Sequence, residues 1–318
     1  MASLAAACSP LTAPRGQLRE NEPMSGHVSW RAGGVAAKAY FPADLADLCL
    51  FLKRLRTDEP LLMVGLGSNL LVRDGGYAGT VIFTHGALSE IRLEPDPSPL
   101  TPHPLRVYVE AGVGSPKLAR FAAGLDLVGA EFLAGVPGTL GGALAMNAGC
   151  HGGETWQIVE RVLMVNRVGE LTERRPDEFS LGYRHVGLKA HCDEWFVAAW
   201  LKLESGSGEA AKARMKEMLD RRSATQPLSL PNAGSVFRNP PGDHAARLIQ
   251  EAGLKGLVLG GAQVSEKHAN FIVNPEGKAR AADIEALIER VQAEVLAKFG
   301  VQLVREVRIV GEAVSGKR

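Results

Sequence analysis

The sequence predicts an α+β protein of two or three domains. Three observations carry that expectation: a length of 318 residues, beyond the usual size of a single core; a middle region rich in strand-like apolar runs; and helical apolar spacing towards both ends. Hydrophobic residues at 46% and charged residues at 22% are ordinary globular values, so the composition indicates neither a disordered nor a membrane protein.

Residues 1–19 contain no acidic residue, are rich in Ala, Ser and Pro, and carry Arg15 and Arg19. The apolar stretch around Leu4 is short and lacks a basic leader, so a disordered extension to about residue 25 is expected rather than a secretory signal. Arg31-Ala32-Gly33-Gly34 leads into an extended Ala36 to Phe41. A helix from Asp44 to Arg56 follows, with Leu45, Leu48, Leu52 and Leu55 at helical spacing, and then the strand Leu61 to Val64. Thr80 to Phe83 is a further strand, and the proline-rich Pro95 to Pro104 marks a first boundary. Arg106 to Glu110 alternates like a half-buried strand, and Ser115-Pro116 reads as an N-cap and a first-turn proline opening a helix to about Asp126. Two extended runs, Val159 to Arg167 and Trp195 to Leu203, flank Gly182-Tyr183-Arg184. Glu209 to Arg222 is a charged helix, and Gln226 to Asn232 marks a second boundary. Asp243 can cap a helix to about Ala252, and Asp283 to Phe299 carries Ile284, Leu287, Ile288, Val291, Val295 and Phe299 on one face before Gly300 ends it. Val301 to Val310 is the expected final strand.

Several function classes are disfavoured. The 36 Lys+Arg and 35 Asp+Glu residues give a net charge of +1 with no basic stripe, which argues against nucleic acid. No apolar run approaches the roughly 20 residues that span a bilayer. Cys8, Cys49, Cys150 and Cys192 are scattered and read as reduced thiols of a cytoplasmic protein. His185, His191 and Cys192 are not spaced to share one face, so no metal is expected.

Two glycine-rich stretches carry the chemistry: Gly65-Leu66-Gly67-Ser68-Asn69-Leu70-Leu71, and Gly135-Val136-Pro137-Gly138-Thr139-Leu140-Gly141-Gly142 running on to Asn147-Ala148-Gly149. Glycine lets consecutive amides converge on anionic oxygens, so the two read as halves of a pyrophosphate cradle for a dinucleotide. Neither has the lysine of a Walker loop, and the first fails the Rossmann fingerprint because its third glycine would fall at Leu70. Ser235 lies in Ala233-Gly234-Ser235-Val236-Phe237, where Phe237 replaces the last glycine of a nucleophile elbow and disfavours a serine hydrolase. It donates chemistry or satisfies a turn. Arg184 can clamp a carboxylate bidentately or be a solvated loop cation. Glu306 shares a strand face with Val304, Arg308 and Val310, looking into a pocket or pairing with Arg308.

Taken together, these motifs resemble the UDP-N-acetylenolpyruvoylglucosamine reductase family. The likeness spans about residues 27–312 and runs, in order, through Trp30 to Gly34, both glycine stretches, Gly182-Tyr183-Arg184, Ala233 to Pro240, Ala252 to Gly256, His268 to Asn274 and Glu306 to Gly311. It implies a vanillyl-alcohol-oxidase (PCMH)-type FAD-binding fold of two subdomains, 26–95 and 96–208, a substrate-binding α+β domain over 209–305, and a terminal strand in 306–318 returning to the first subdomain. The short interval from Ser235 to Glu306 resembles the compact form of the family without the tyrosine-loop insertion. The implied reaction is reduction of UDP-N-acetylglucosamine enolpyruvate to UDP-N-acetylmuramate in peptidoglycan synthesis, with non-covalent FAD as cofactor and NADPH as reductant, in a cytoplasmic monomer or weak oligomer.

By that resemblance the catalytic residues are Arg184, which stabilises charge on the reacting carboxylate, Ser235, which gives a proton to C2, and Glu306, which polarises or relays. Gly65, Gly67, Ser68, Asn69, Leu70, Gly135, Pro137, Gly138, Thr139, Gly141, Gly142 and Asn147 match the cofactor-binding positions. Tyr183, Asn232, Arg238, Asn239, His268 and Asn270 match substrate-binding positions. Two departures bear on substrate contacts: Arg238 stands where the family usually has lysine, and Asn232 where it usually has serine or threonine.

Overall fold

The computed structural model describes residues 13–94, 105–190 and 192–314. The expected loop and boundary at Pro95 to Pro104, and Cys8 and His191, lie outside the described residues. The chain runs through β1 (Gln17–Pro23), β2 (Val35–Phe41), α1 (Leu45–Arg54), β3 (Leu61–Val64), β4 (Leu70–Val72), β5 (Tyr77–Phe83), β6 (Ile91–Leu93), β7 (Leu105–Glu110), α2 (Ser115–Gly124) and β8 (Leu127–Val128). There follow α3 (Leu140–Met146), β9 (Gly149–Cys150), β10 (Gly153–Glu154), β11 (Val159–Asn166), β12 (Leu171–Arg174), β13 (Phe179–Gly182), β14 (His185–Leu188) and β15 (Glu194–Ser205). The last part holds α4 (Gly208–Thr225), α5 (Ala245–Glu251), β16 (Val258–Leu259), β17 (Ala262–Val264), β18 (Ile272–Val273), α6 (Ala281–Phe299) and β19 (Arg308–Val310).

Contacts divide the chain into two compact units that are interleaved in sequence rather than consecutive. Unit one takes the residues up to Arg19, Ala39–Gly65 and Thr80–Leu219, and unit two takes Glu20–Lys38, Leu66–Gly79 and the residues from Asp220 onward.

Unit one is built on a sheet in the order β12-β11-β15-β7-β6, with β8 also on β15. Its central strands are covered on both faces. On one face Val107, Val109, Val162, Ala199 and Leu201 meet Leu118 and Ala122 of α2 and Leu140 and Leu144 of α3. On the other, Tyr108, Leu163, Val165, Val197 and Trp200 meet Leu48, Phe51 and Leu52 of α1. Successive side chains of a strand point to opposite faces, so burial of both produces the unbroken apolar runs Val162–Val165 and Val197–Leu201. β3 lies parallel to β5, from Leu61↔Thr80 to Val64↔Phe83.

Unit two packs α6 through Ile284, Leu287, Ile288, Val291 and Val295 onto a core that includes Trp30, Leu71, Phe237 and Val264. Each such side chain contributes on the order of 2 kcal/mol by leaving water. The core is pinned by polar groups distant in sequence. Trp30 Nε1 donates to the Ile272 carbonyl at 2.8 Å and Asn274 Nδ2 to the Trp30 carbonyl at 3.0 Å. Asp74 accepts the amides of Ala281 and Ala282 at 3.0 and 2.8 Å, closing the first turn of α6, and Arg73 makes a bidentate pair with Glu285 of the same helix.

Five local expectations are corrected. Within the expected extension, Gln17–Pro23 is a strand, because Asp47 receives the Arg15 and Gly16 amides, the latter at 3.0 Å, and fixes the segment ahead of it. Ser115 is the first residue of α2 and Gly114 its cap, and the Ser115 hydroxyl is buried with no partner among the described residues. α5 begins at Ala245 with His244 as cap, since the Asp243 carboxylate is taken by the His244 amide and Arg247. α6 starts two residues earlier than expected, at Ala281, where Asp74 satisfies its amides. The last strand is only Arg308–Val310. Leu303 and Val307 are buried while Arg305 between them is exposed, so strict alternation from residue 301 fails.

Asp47 is inaccessible to solvent and also accepts the Tyr40 hydroxyl at 2.7 Å and the Ala43 amide at 2.8 Å. Burial alone would raise its carboxyl; hydrogen bonds from Ala43, Arg15, Tyr40 and Gly16 outweigh that and hold it below the usual value. A carboxyl lowered by folding contributes stability above its unfolded titration range that disappears as pH falls through the folded one. Asp47→Asn is expected to cost about 2 kcal/mol in denaturant unfolding at pH 7, with the difference from wild type shrinking below about pH 4; a pH-independent difference would contradict this account.

Candidate active site

The first glycine stretch joins β3 to β4. A Cβ on Gly65 would lie 2.2 Å from Thr139 Oγ1, so this close approach admits only glycine and brings the start of the first stretch onto the second. The Thr139 hydroxyl is buried with no partner among the described residues, a donor left over beside that contact. An orphaned hydroxyl and a glycine-lined backbone are what an anionic diphosphate requires. Gly135 is buried, Gly138 and Gly141 half-buried, and Pro137 and Gly142 exposed. The Leu140 and Gly141 amides are already spent on the Val113 and Ala111 carbonyls, both at 2.8 Å. Packing accounts for a glycine at 141, since a Cβ would come within 3.0 Å of Ala111 Cβ, and its amide is engaged by the Ala111 carbonyl.

In unit two the rest of the first stretch meets the end of the chain. Ser29 donates its amide to the Gly67 carbonyl at 3.2 Å, and Ser68 is half-buried. Asn69 Nδ2 donates to the Glu306 carbonyl at 3.1 Å, and the Asn69 carbonyl accepts from Arg308 at 3.0 Å. β4 then continues in parallel with β19, from Leu70↔Arg308 to Val72↔Val310. The Ser235 segment joins the same junction. Glu306 and Val307 donate their amides to the Val236 carbonyl, at 2.8 and 3.4 Å, and Arg238 donates to the Val304 carbonyl at 2.9 Å. Ser235 and Glu306, far apart in sequence, thus sit on paired backbone segments, both half-buried.

Arg184 belongs to unit one. β13 and β14 form a hairpin, Gly182↔His185 closing it, with Tyr183 and Arg184 as the two-residue turn. Arg184 takes φ 53°, and its Nη1 and Nη2 donate to the Asn147 and Gly149 carbonyls at 3.4 and 2.8 Å. Tyr183 is 49% exposed, with its ring centroid 5.3 Å from the guanidinium carbon.

Four asparagines matched to ligand contacts are committed within the protein. Asn147 Nδ2 donates to Glu154 at 2.8 Å and the Gly182 carbonyl at 3.2 Å. Asn270 exchanges two hydrogen bonds with the Phe237 backbone, accepting at 3.0 Å and donating at 2.8 Å. Asn232 Nδ2 donates to the Leu230 and Pro227 carbonyls while its Oδ1 accepts the Gly234 amide, and Asn239 Oδ1 accepts the Ala245 amide. These side chains shape loops, and local motif matching cannot distinguish that from ligand contact. Arg238 differs, because its Nε is buried with no partner among the described residues. His268 is half-buried. Its Nδ1 accepts the Asn270 amide at 3.3 Å, which leaves Nε2 as the ring nitrogen able to donate, and burial lowers its basicity. Glu154, seven residues after Asn147, carried no signal in the sequence.

Residues 226–310 match the C-terminal domain of UDP-N-acetylenolpyruvoylglucosamine reductase, and residues 36–174 match an FAD binding domain. The chain is 58% identical over 308 residues to the UDP-N-acetylenolpyruvoylglucosamine reductase of Thiobacillus denitrificans, covering 95% of each chain. It is 54% identical over 306 residues to that of Legionella pneumophila strain Corby, covering 96% of each. Among solved structures, the UDP-N-acetylenolpyruvylglucosamine reductase of Thermus caldophilus is similar at a TM-score of 0.74 and 32% identity, over 93% of this chain and 98% of that one.

Gly65→Ala forces the new methyl into Thr139, and FAD affinity is expected to fall by about tenfold or more with the far-ultraviolet circular dichroism unchanged. Wild-type retention of flavin on ultrafiltration would show that this contact is not part of the cradle.

Proposed function

The chain belongs to the UDP-N-acetylenolpyruvoylglucosamine reductase family, and we propose that Arg184, Ser235 and Glu306 carry its reaction. The protein is an FAD-containing, NADPH-dependent oxidoreductase that converts UDP-N-acetylglucosamine enolpyruvate to UDP-N-acetylmuramate in peptidoglycan synthesis. When bound, FAD accepts two electrons from NADPH and supplies the reducing equivalent that saturates C3 of the enolpyruvyl group. Gly65, Gly67, Ser68, Asn69, Leu70, Gly135, Gly138 and Thr139 are the positions proposed to hold it.

Saturating C3 leaves negative charge on C2, delocalised into the adjacent carboxylate. A guanidinium is permanently charged and presents a planar fork that matches a carboxylate, so Arg184 stabilises that charge as it develops. C2 then needs a proton. The Ser235 hydroxyl supplies it; so weak an acid suffices because a carboxylate-stabilised carbanion is more basic than the serine alkoxide left behind. The Glu306 carboxyl polarises this step or returns a proton to Ser235. The observation that carries the assignment is the acceptance of the Glu306 amide by the Val236 carbonyl, which sets the serine and the glutamate on adjoining backbone segments. The unpartnered Arg238 Nε supports an anionic substrate group beside that segment. His268 Nε2–H and Tyr183 are the remaining proposed substrate contacts. Both NADPH and a nucleotide sugar are cytoplasmic metabolites, and a cytoplasmic monomer or weak oligomer is part of the same proposal.

The test is anaerobic stopped-flow absorbance at the flavin band, first with NADPH and then with the enolpyruvyl substrate. Wild type is expected to bleach and recover. Ser235→Ala should bleach at the normal rate and recover at least about 100-fold more slowly; recovery at the wild-type rate would remove Ser235 as the acid.

A further inference from the structure

Asn147 is the C-cap of α3, at φ 43°, and only 3% exposed. Its side chain is fully engaged: Nδ2 donates to Glu154 Oε2 and to the Gly182 carbonyl, and Oδ1 accepts the Trp156 amide at 3.2 Å. The opposite amide orientation would set oxygen against a carboxylate and a carbonyl, so the bonding pattern fixes the side chain in one sense. Gly182 is the residue that leads into the Tyr183-Arg184 turn. One face of Asn147 therefore grips the hairpin, while its backbone carbonyl, with that of Gly149, receives the guanidinium the hairpin presents.

A guanidinium has five N–H donors in a rigid plane, so two of them aimed at fixed carbonyls set the direction of that plane. Glu154 in turn anchors Asn147, its carboxylate receiving an amide proton at 2.8 Å from a side chain with almost no access to water. We infer that Asn147, anchored by Glu154, is a positioning residue that orients the Arg184 guanidinium, and that it does not contact the cofactor. The inference rests on the role proposed above for Arg184. It adds a physical requirement: a charge-stabilising group accelerates most when it is already aimed before charge develops.

The experiment measures anaerobic reoxidation of the NADPH-reduced holoenzyme by the enolpyruvyl substrate, with FAD affinity followed by ultrafiltration and flavin fluorescence. Asn147→Gly keeps the left-handed backbone and removes the side chain. It should slow reoxidation about tenfold and leave FAD affinity within about twofold. Arg184→Ala should slow reoxidation about 100-fold, and the double variant should be no slower than Arg184→Ala alone. In a second series, Asn147→Asp loses both donated bonds, to Glu154 and to the Gly182 carbonyl; adding Glu154→Gln restores the first with donor and acceptor exchanged and should recover part of the lost rate, and this series serves if Asn147→Gly does not fold. Equal slowing by Asn147→Gly with and without Arg184, loss of FAD affinity, or no rescue by Glu154→Gln would overturn the inference while leaving the Arg184 role intact. A wild-type rate in Arg184→Ala would overturn the Arg184 role and the inference with it.

Discussion

The pairing of β19 with β4 is the constraint on which the candidate chemistry of unit two depends. Three residues on each side, Leu70–Val72 and Arg308–Val310, form a short parallel ladder. Parallel pairing needs a long connection between its strands, and here that connection includes α5, α6 and the Ser235 segment. The ladder fixes the register of residue 306 against Asn69, whose side chain and carbonyl bracket the strand start from both directions. With Glu306 so placed, its amide and that of Val307 reach the Val236 carbonyl, and the Ser235 loop is set in turn. A slip of one residue in the ladder would break the Asn69 and Val236 hydrogen bonds that place residue 306. The loop therefore inherits its position from a strand pair rather than from its own sequence.

A second theme unites the two units. Short amides satisfy loop backbone that has no ladder of its own. Asn270 caps both polar groups of Phe237, Asn274 links the Trp30 carbonyl to the Ala279 amide, and Asn147 ties α3 to the Arg184 hairpin. All three are at most 4% exposed. A primary amide carries the same donor and acceptor as a peptide group, so each replaces a missing peptide partner at a point where irregular chain is buried. Loops built this way are rigid without being regular, which suits groups that must be aimed before reaction.

What was legible in the sequence follows from which forces are local. The period of Ile284, Leu287, Ile288, Val291 and Val295 reports the buried face of α6, and the runs in β11 and β15 report strands covered on both sides. The glycine stretches were legible because close backbone approach at positive φ excludes other residues, as at Gly67, where a Cβ would lie 2.1 Å from the His27 carbonyl oxygen. Partners distant in the chain were not. Nothing in Gln17–Pro23 announces a strand, since what orders its start is the carboxylate of Asp47 some thirty residues on. Likewise the Asp74 cap of α6 and the interleaving of the two units have no local trace. The asparagines show the converse limit: a motif marks a residue as important without revealing whether its amide faces a ligand or the chain.

The central claim, that Ser235 protonates C2 of an enolpyruvyl group, is tested most directly by a crystal structure of the protein with FAD and UDP-N-acetylglucosamine enolpyruvate. The account predicts the Ser235 Oγ within about 3.5 Å of substrate C2, with the Arg184 guanidinium against the substrate carboxylate. A serine turned away from C2, with another acid in its place, would contradict it.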